Sequence, residues 1–304
     1  MFEQPINRVK EQLVPRLRSA LPTVSPLPGL IGRAMLKRDH YEIGDGLPAL
    51  VERVDQVIVD SEHLARYRKL CGYNRDLKLP PTYLALLCFA PMLRLMLNPH
   101  MPLPMMGQVH LRNRICVLAE FDLRTPLTIE VAVGNWQLTA SGLEWLLNSS
   151  VFADGELVWQ ATSTSLHRCE TGVARQRAAS KVRFVDFEER QILELGAELG
   201  RRYARVSGDF NPIHLADVTA GMFGFKQAII HGMWSKARAL AELEADLPAA
   251  GYSAQVSFMR PIGLPGQIQL GLNRQPKQTD HLAEFAIANS AGRALHLHGD
   301  CRPL

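Results

Sequence analysis

The chain has 304 residues, 47% hydrophobic and 21% charged, enough for one large domain or two of about 150 with an ample core. Its 34 basic and 30 acidic residues leave a net charge of +4, too balanced for nucleic acid as the main ligand and mildly suited to an anionic one. Cys71, Cys88, Cys116, Cys169 and Cys301 form no C-x-x-C pair, which argues against a zinc site or disulfide scaffold and suits a reducing, cytoplasmic setting.

Residues 1–35 carry 5 prolines among scattered basic and apolar residues, without the apolar run of a secretion signal. They read as an N-terminal arm, either a tail or a packing arm. Residues 36–168 give a polar lead-in, an apolar helix over Pro81–Leu97, and strands near Gln108–Leu118, Leu127–Leu138, Leu143–Ala153 and Glu156–His167. The run Tyr83–Leu97 contains Pro91 and Arg94, so a buried helix is expected there and no membrane span. Residues 169–182 are basic, polar and without period, and read as a linker.

From 183 to 304 the plan repeats. A helix is expected over Gly232–Ala245, with strands near Ser253–Met259, Gln267–Asn273, His281–Asn289 and Arg293–Cys301. Turn signals at Asp154-Gly155 and Ala291-Gly292 imply antiparallel hairpins. Tyr67–Asn74 resembles Tyr203–Asn211, and Val109–Ile115 resembles Val256–Ile262, so one domain is duplicated. A further helix is expected from Asp186, with Glu189 as its capping box and Ile192, Leu195, Leu199, Tyr203 and Val206 on one face. It must end before Pro212, which leaves Ser207 to Asn211 as a polar turn at a cleft.

Asp209 and His214 lie five residues apart across that turn, close enough to converge on one small molecule. A carboxylate and an imidazole supply acid and base of different strength, as water addition requires. Gly232 opens a helix, where an unpaired N–H and the positive helix end suit a carbonyl gaining negative charge.

The segment YARVSGDFNPIHLADVTAGMFGFKQAIIHGMW, Tyr203–Trp234, resembles the signature of the MaoC-like dehydratases, the (R)-specific enoyl-CoA hydratase (hydratase 2) family. That resemblance implies an α+β double hot-dog fold, two antiparallel sheets each wrapped around a central helix. It implies a lyase that adds water to trans-2-enoyl thioesters, or removes it from (R)-3-hydroxyacyl thioesters, in fatty-acyl metabolism. Asp209 would deprotonate the water, His214 would complete the acid/base pair, Asn211 would hold the loop and the Gly232 N–H the thioester carbonyl. Ser207, Gly208, His231 and Met233 would border the substrate.

The first half lacks this set: Tyr73 stands near the Asp209 position and Pro80-Pro81-Thr82 replaces His231-Gly232-Met233. It should be catalytically silent. Many relatives carry an acid two places after the motif histidine, whereas here it comes at Asp217. No cofactor is expected beyond the coenzyme A or acyl carrier protein that bears the thioester, and no metal. The protein would be a monomeric pseudo-dimer or a homodimer, with acyl carrier protein as a possible partner.

Arg201, Arg202, Lys226, Lys236 and Arg238 could reach coenzyme A phosphates, although each alone reads as a solvated helix residue. Trp136, Trp145 and Trp159 read as core or sheet aromatics. Two rivals stand beside the hydratase: a hot-dog acyl thioesterase, and a non-catalytic acyl-binding subunit.

Overall fold

A computed structural model describes residues 17–18, 27–74, 79–174, 182–276 and 280–304. Much of the N-terminal arm and residues 175–181 of the linker therefore lie outside the described residues. The first half contains β1 (Leu17–Arg18), α1 (Leu27–Leu36), β2 (Leu50–Val57), α2 (Ser61–Cys71), α3 (Tyr83–Leu87) and α4 (Phe89–Met96). Strands β3 (Val109–Val117), β4 (Leu127–Thr139), β5 (Gly142–Ala153) and β6 (Glu156–His167) follow. The second half contains β7 (Glu189–Leu195), α5 (Leu199–Ser207), α6 (Asp217–Gly221) and α7 (Gly232–Glu242). It closes with β8 (Tyr252–Phe258), β9 (Gly266–Asn273), β10 (Ala283–Asn289) and β11 (Leu295–Pro303).

All these strands form one sheet, ordered β1-β2-β4-β5-β6-β3-β8-β11-β10-β9-β7. Apart from the parallel β1–β2 pair, every pairing is antiparallel. Taken outward from the β3–β8 seam, both halves run in the same order: β3-β6-β5-β4-β2 and β8-β11-β10-β9-β7. The two hot-dog sheets are thus joined edge to edge, which covers two strand edges that would otherwise be exposed. Asp154 and Gly155 both adopt positive φ, as a tight β5–β6 hairpin requires.

Three expectations change. The helix drawn from Asp186 to Val206 is instead a 3₁₀ turn at Phe184–Asp186, then strand β7, then α5. Pairing with β9 overrides the helical spacing, Ile192 is 60% exposed, and Glu189 pairs with Arg274 at 3.0 Å in place of a capping box. The helix expected over Pro81–Leu97 breaks at Cys88 into α3 and α4, because Pro91 cannot donate to the preceding turn. The match of Val109–Ile115 with Val256–Ile262 slips, since β8 stops at Phe258. The other match holds: α2 and α5 both end at a left-handed glycine, Gly72 with φ 86° and Gly208 with φ 78°.

Strand β2 and helix α2 occupy what reads in sequence as a polar lead-in. Glu52 of β2 turns inward to Arg94 at 3.6 Å, both nearly buried, which accounts for the arginine inside the apolar run of α4. Among the described residues no helix is long and apolar enough to cross a membrane. The described part of the arm includes α1, whose Leu30 and Ala34 pack on Leu93 of α4.

Lys236 is no solvated helix residue and no phosphate ligand. It is fully buried on α7, and its ammonium donates to Asn113 O (3.2 Å), Asn113 Oδ1 (2.6 Å) and Ala254 O (2.9 Å), pinning α7 to both seam strands. Burial pushes its pKa down to about 7. Above that pH the folded chain sheds a proton that the unfolded chain keeps, so this group makes stability rise with pH. Above about 8.5 the buried thiols of Cys71, Cys88 and Cys301, each pushed up by burial to about 12, reverse the trend. Urea unfolding should therefore show stability rising from about pH 7 to 8.5, and Lys236→Met should remove most of the rise.

Candidate active site

The turn after α5 holds itself by side-chain caps. Gly208 reverses the chain, and the Ser207 hydroxyl accepts from the Asp209 N–H at 3.2 Å. Asp209 Oδ1 accepts from the Asn211 N–H (3.2 Å), and Asn211 Oδ1 from the Ile213 N–H (3.3 Å), opening the 3₁₀ turn Pro212–His214. These bonds fix the direction of the Asp209 carboxylate, which stays about one-third exposed.

Neighbouring elements clamp the turn. Thr219 donates to Pro212 O at 2.7 Å and Arg201 to Leu215 O at 2.6 Å. A Cβ on Gly200 would lie 2.2 Å from His214 O, so only glycine lets α5 approach this closely. Asp217 accepts from the Ala228 N–H at 2.8 Å, fastening the strand-like segment beside His214.

His214 is buried, with Nδ1 at 2.8 Å from Ile229 O. A carbonyl only accepts, so Nδ1 carries the hydrogen and Nε2 keeps its lone pair. Burial holds the His214 pKa below the usual histidine range, against the pull of the Asp209 charge. His231 stacks on His214 with centroids 3.6 Å apart and meets Tyr203 at 4.8 Å, tilted by 52°. Its Nε2 donates to Asp209 O at 2.9 Å and lies 3.9 Å from Asp209 Oδ2. Burial, helped by His214, pushes His231 down to about 3, so at neutral pH it is an uncharged brace.

One polar atom each from Asp209, His214 and His231 lies within 4.8 Å of the others, a spacing a metal could span. Each imidazole gives one nitrogen to a backbone carbonyl, and Asp209 Oδ1 accepts from the Asn211 N–H, so part of the donor set is already engaged.

His231 is the N-cap of α7 and Gly232 its first residue, so the opening N–H groups of the helix have no intrahelical partner. The position of a Gly232 Cβ is 3.0 Å from the Phe258 ring. Met233 is half-buried and packs against the core. Arg201 and Arg238 are engaged by Glu198 and Glu242. In the first half, the Tyr73 hydroxyl lies 3.3 Å from Thr82 Oγ1, to which Tyr67 also donates at 2.7 Å. A cavity of about 200 Å³ between β7, α5 and α7 is lined by Leu195, Trp234, Arg202 and Arg238, the two arginines being phosphate candidates, and by none of the expected catalytic residues.

Sequence reasoning misses Gly200, Thr219 and His110. His110, from β3, packs its ring on Phe258 at 4.9 Å. Burial, with the Lys236 charge, pushes its pKa down to about 4.

The model of the MaoC like domain matches residues 175–284. The chain is 29% identical over 223 residues to 3-hydroxyacyl-thioester dehydratase X of Mycobacterium tuberculosis, covering 73% of this chain and 79% of that protein. The crystal structure of HtdX of Mycobacterium tuberculosis superposes with a TM-score of 0.70 at 26% identity, over 84% of this chain and all of that one. Residues 175–284 thus match a MaoC-like domain, and the chain as a whole resembles the MaoC-like dehydratases in sequence and fold. A MaoC-like dehydratase from Phytophthora capsici, at 19% identity, shares the fold with a TM-score of 0.67, over 84% of this chain and 96% of that one.

Proposed function

We propose that this MaoC-like protein interconverts trans-2-enoyl and (R)-3-hydroxyacyl thioesters in fatty-acyl metabolism. The observation that carries the reading is the His214 tautomer. The bond from Nδ1 to Ile229 leaves Nε2 as an acceptor beside the fixed carboxylate of Asp209. In hydration, Asp209 and His214 orient one water and take its proton while its oxygen bonds C3. The C2–C3 π pair moves into the thioester as an enolate, whose oxygen faces the α7 N-terminus and the Gly232 N–H. Collapse of the enolate returns the proton to C2, so one water is consumed and no redox partner is needed. Asn211, Ser207 and Gly208 hold the loop, His231 braces it, and Met233 borders the acyl group.

The thioester is the only carrier the reaction requires, borne by coenzyme A or acyl carrier protein. The five cysteines are unpaired, as in a cytoplasmic setting. Two halves sharing one sheet supply the pseudo-dimer within one chain, and a monomer or a homodimer of such chains would both function. A thioesterase would need water aimed at the carbonyl carbon instead of C3. The intact Asp209–His214 pair disfavours a purely acyl-binding role.

A panel of trans-2-enoyl-CoA substrates of increasing chain length tests the reading. Loss of the conjugated enoyl absorbance without release of free thiol is expected, and thiol release would overturn it. Gly232→Val should lower kcat at least about tenfold with a small stability loss, because the branched group meets Phe258 and the incoming carbonyl. A normal turnover number would place the carbonyl elsewhere. The pH profile follows from His214: the base must be neutral and its pKa is depressed, so kcat/KM should stay flat as pH falls through about 6.5 and drop only below it.

A further inference from the structure

His110 belongs to the half that lacks the catalytic residues, yet the strand delivers it to the cleft. Strand β3 alternates cleanly beyond it: Arg112 and Arg114 are exposed, while Asn113 and Ile115 are buried toward α7. Continued backward, that alternation would turn His110 outward. The register breaks between His110 and Arg112, which pair with Ser165 and Thr164, so Leu111 is an extra residue. Such a bulge flips the side chains that precede it to the other face. His110 accordingly shares the inner face with Asn113, whose amide donates to Ser163 Oγ, two residues from Ser165 on the same face of β6.

There its ring packs on Phe258, and the same Phe258 ring covers Gly232. The backbone of Arg112 takes a hydrogen bond from His110, while Nε2 is enclosed and has no hydrogen-bond partner. An acceptor left without a donor is a cost that folded proteins rarely carry without use.

The geometry points to His110 Nε2 as the acceptor for the amide N–H nearest the sulfur of the bound thioester. This rests on the hydratase reading. The amide is common to coenzyme A and acyl carrier protein, and it is the one donor that sits a few bonds beyond a carbonyl held at Gly232. The water's own hydrogens are spoken for by Asp209 and His214. Binding requires the partly exposed Phe258 ring to turn aside as the thioester enters. The silent half thereby contributes a substrate-positioning residue across the seam.

The test compares trans-2-butenoyl thioesters of N-acetylcysteamine and of 2-mercaptoethyl acetate, in which oxygen replaces the N–H. The wild-type chain should prefer the amide in kcat/KM by about five- to tenfold, the worth of one hydrogen bond. His110→Phe keeps a ring against Phe258 and should abolish the preference by losing rate on the amide alone. His110→Gln restores an acceptor and should recover part of it. Activity with no amide preference in the wild type, or equal losses on both substrates in His110→Phe, would overturn the proposal. A wild-type chain that hydrated neither these thioesters nor enoyl-CoA would instead overturn the hydratase reading beneath it.

Discussion

Asp209→Asn and His214→Ala are each expected to lower kcat by about two to four orders of magnitude in a folded protein. The asparagine keeps an acceptor for the Asn211 N–H, so the turn retains its shape while the negative charge disappears. Loss of rate then reports the charge and not the loop. His214→Ala is less clean, because it leaves Ile229 O without its donor and costs about 1–3 kcal/mol of stability. A melting curve must accompany the kinetics. Tyr73→Phe, in the first half, should change kcat far less, since its hydroxyl bonds Thr82 and none of the catalytic residues among those described. Near-normal hydration by either catalytic variant would remove that residue from the mechanism.

Gly200→Ala should damage both stability and turnover. The new Cβ would stand 2.2 Å from His214 O and 3.2 Å from Leu264 Cδ1. Backbone cannot rotate away as a side chain can, so α5 and the catalytic turn must separate. Overpacking of this kind costs about 1–3 kcal/mol. A shift of about 1 Å at His214 would lower kcat roughly a hundredfold. Thermal melting and steady-state kinetics on the same sample check both effects. An unchanged kcat would mean that the turn does not depend on α5 for its position.

What the sequence makes legible is local. The four strands after each central helix stand where alternation and turn residues put them, and the turn from Ser207 to His214 reads directly from its glycine, Asx residues and proline. Apart from the break at Cys88, which Pro91 causes locally, the misses depend on partners elsewhere in the fold. Ile192 and Leu195 have helical spacing relative to Leu199, but β9 supplies a strand edge that no local pattern announces. Lys236 reads as a surface charge because its three acceptors lie on β3 and β8. His110 reads as an outward strand residue until the bulge at Leu111 is known. Gly200 looks like a helix-weakening residue, and only the nearness of His214 O gives it a purpose.

The most direct measurement is the fate of the water oxygen. An enoyl-CoA incubated with the chain in ¹⁸O-labelled water, followed by mass spectrometry of the products, places the label on C3 or on the carboxyl carbon. Water addition by Asp209 and His214 predicts label on the C3 hydroxyl of an intact thioester. Label in a free carboxylate, with coenzyme A released, would contradict the account and make the chain a thioesterase.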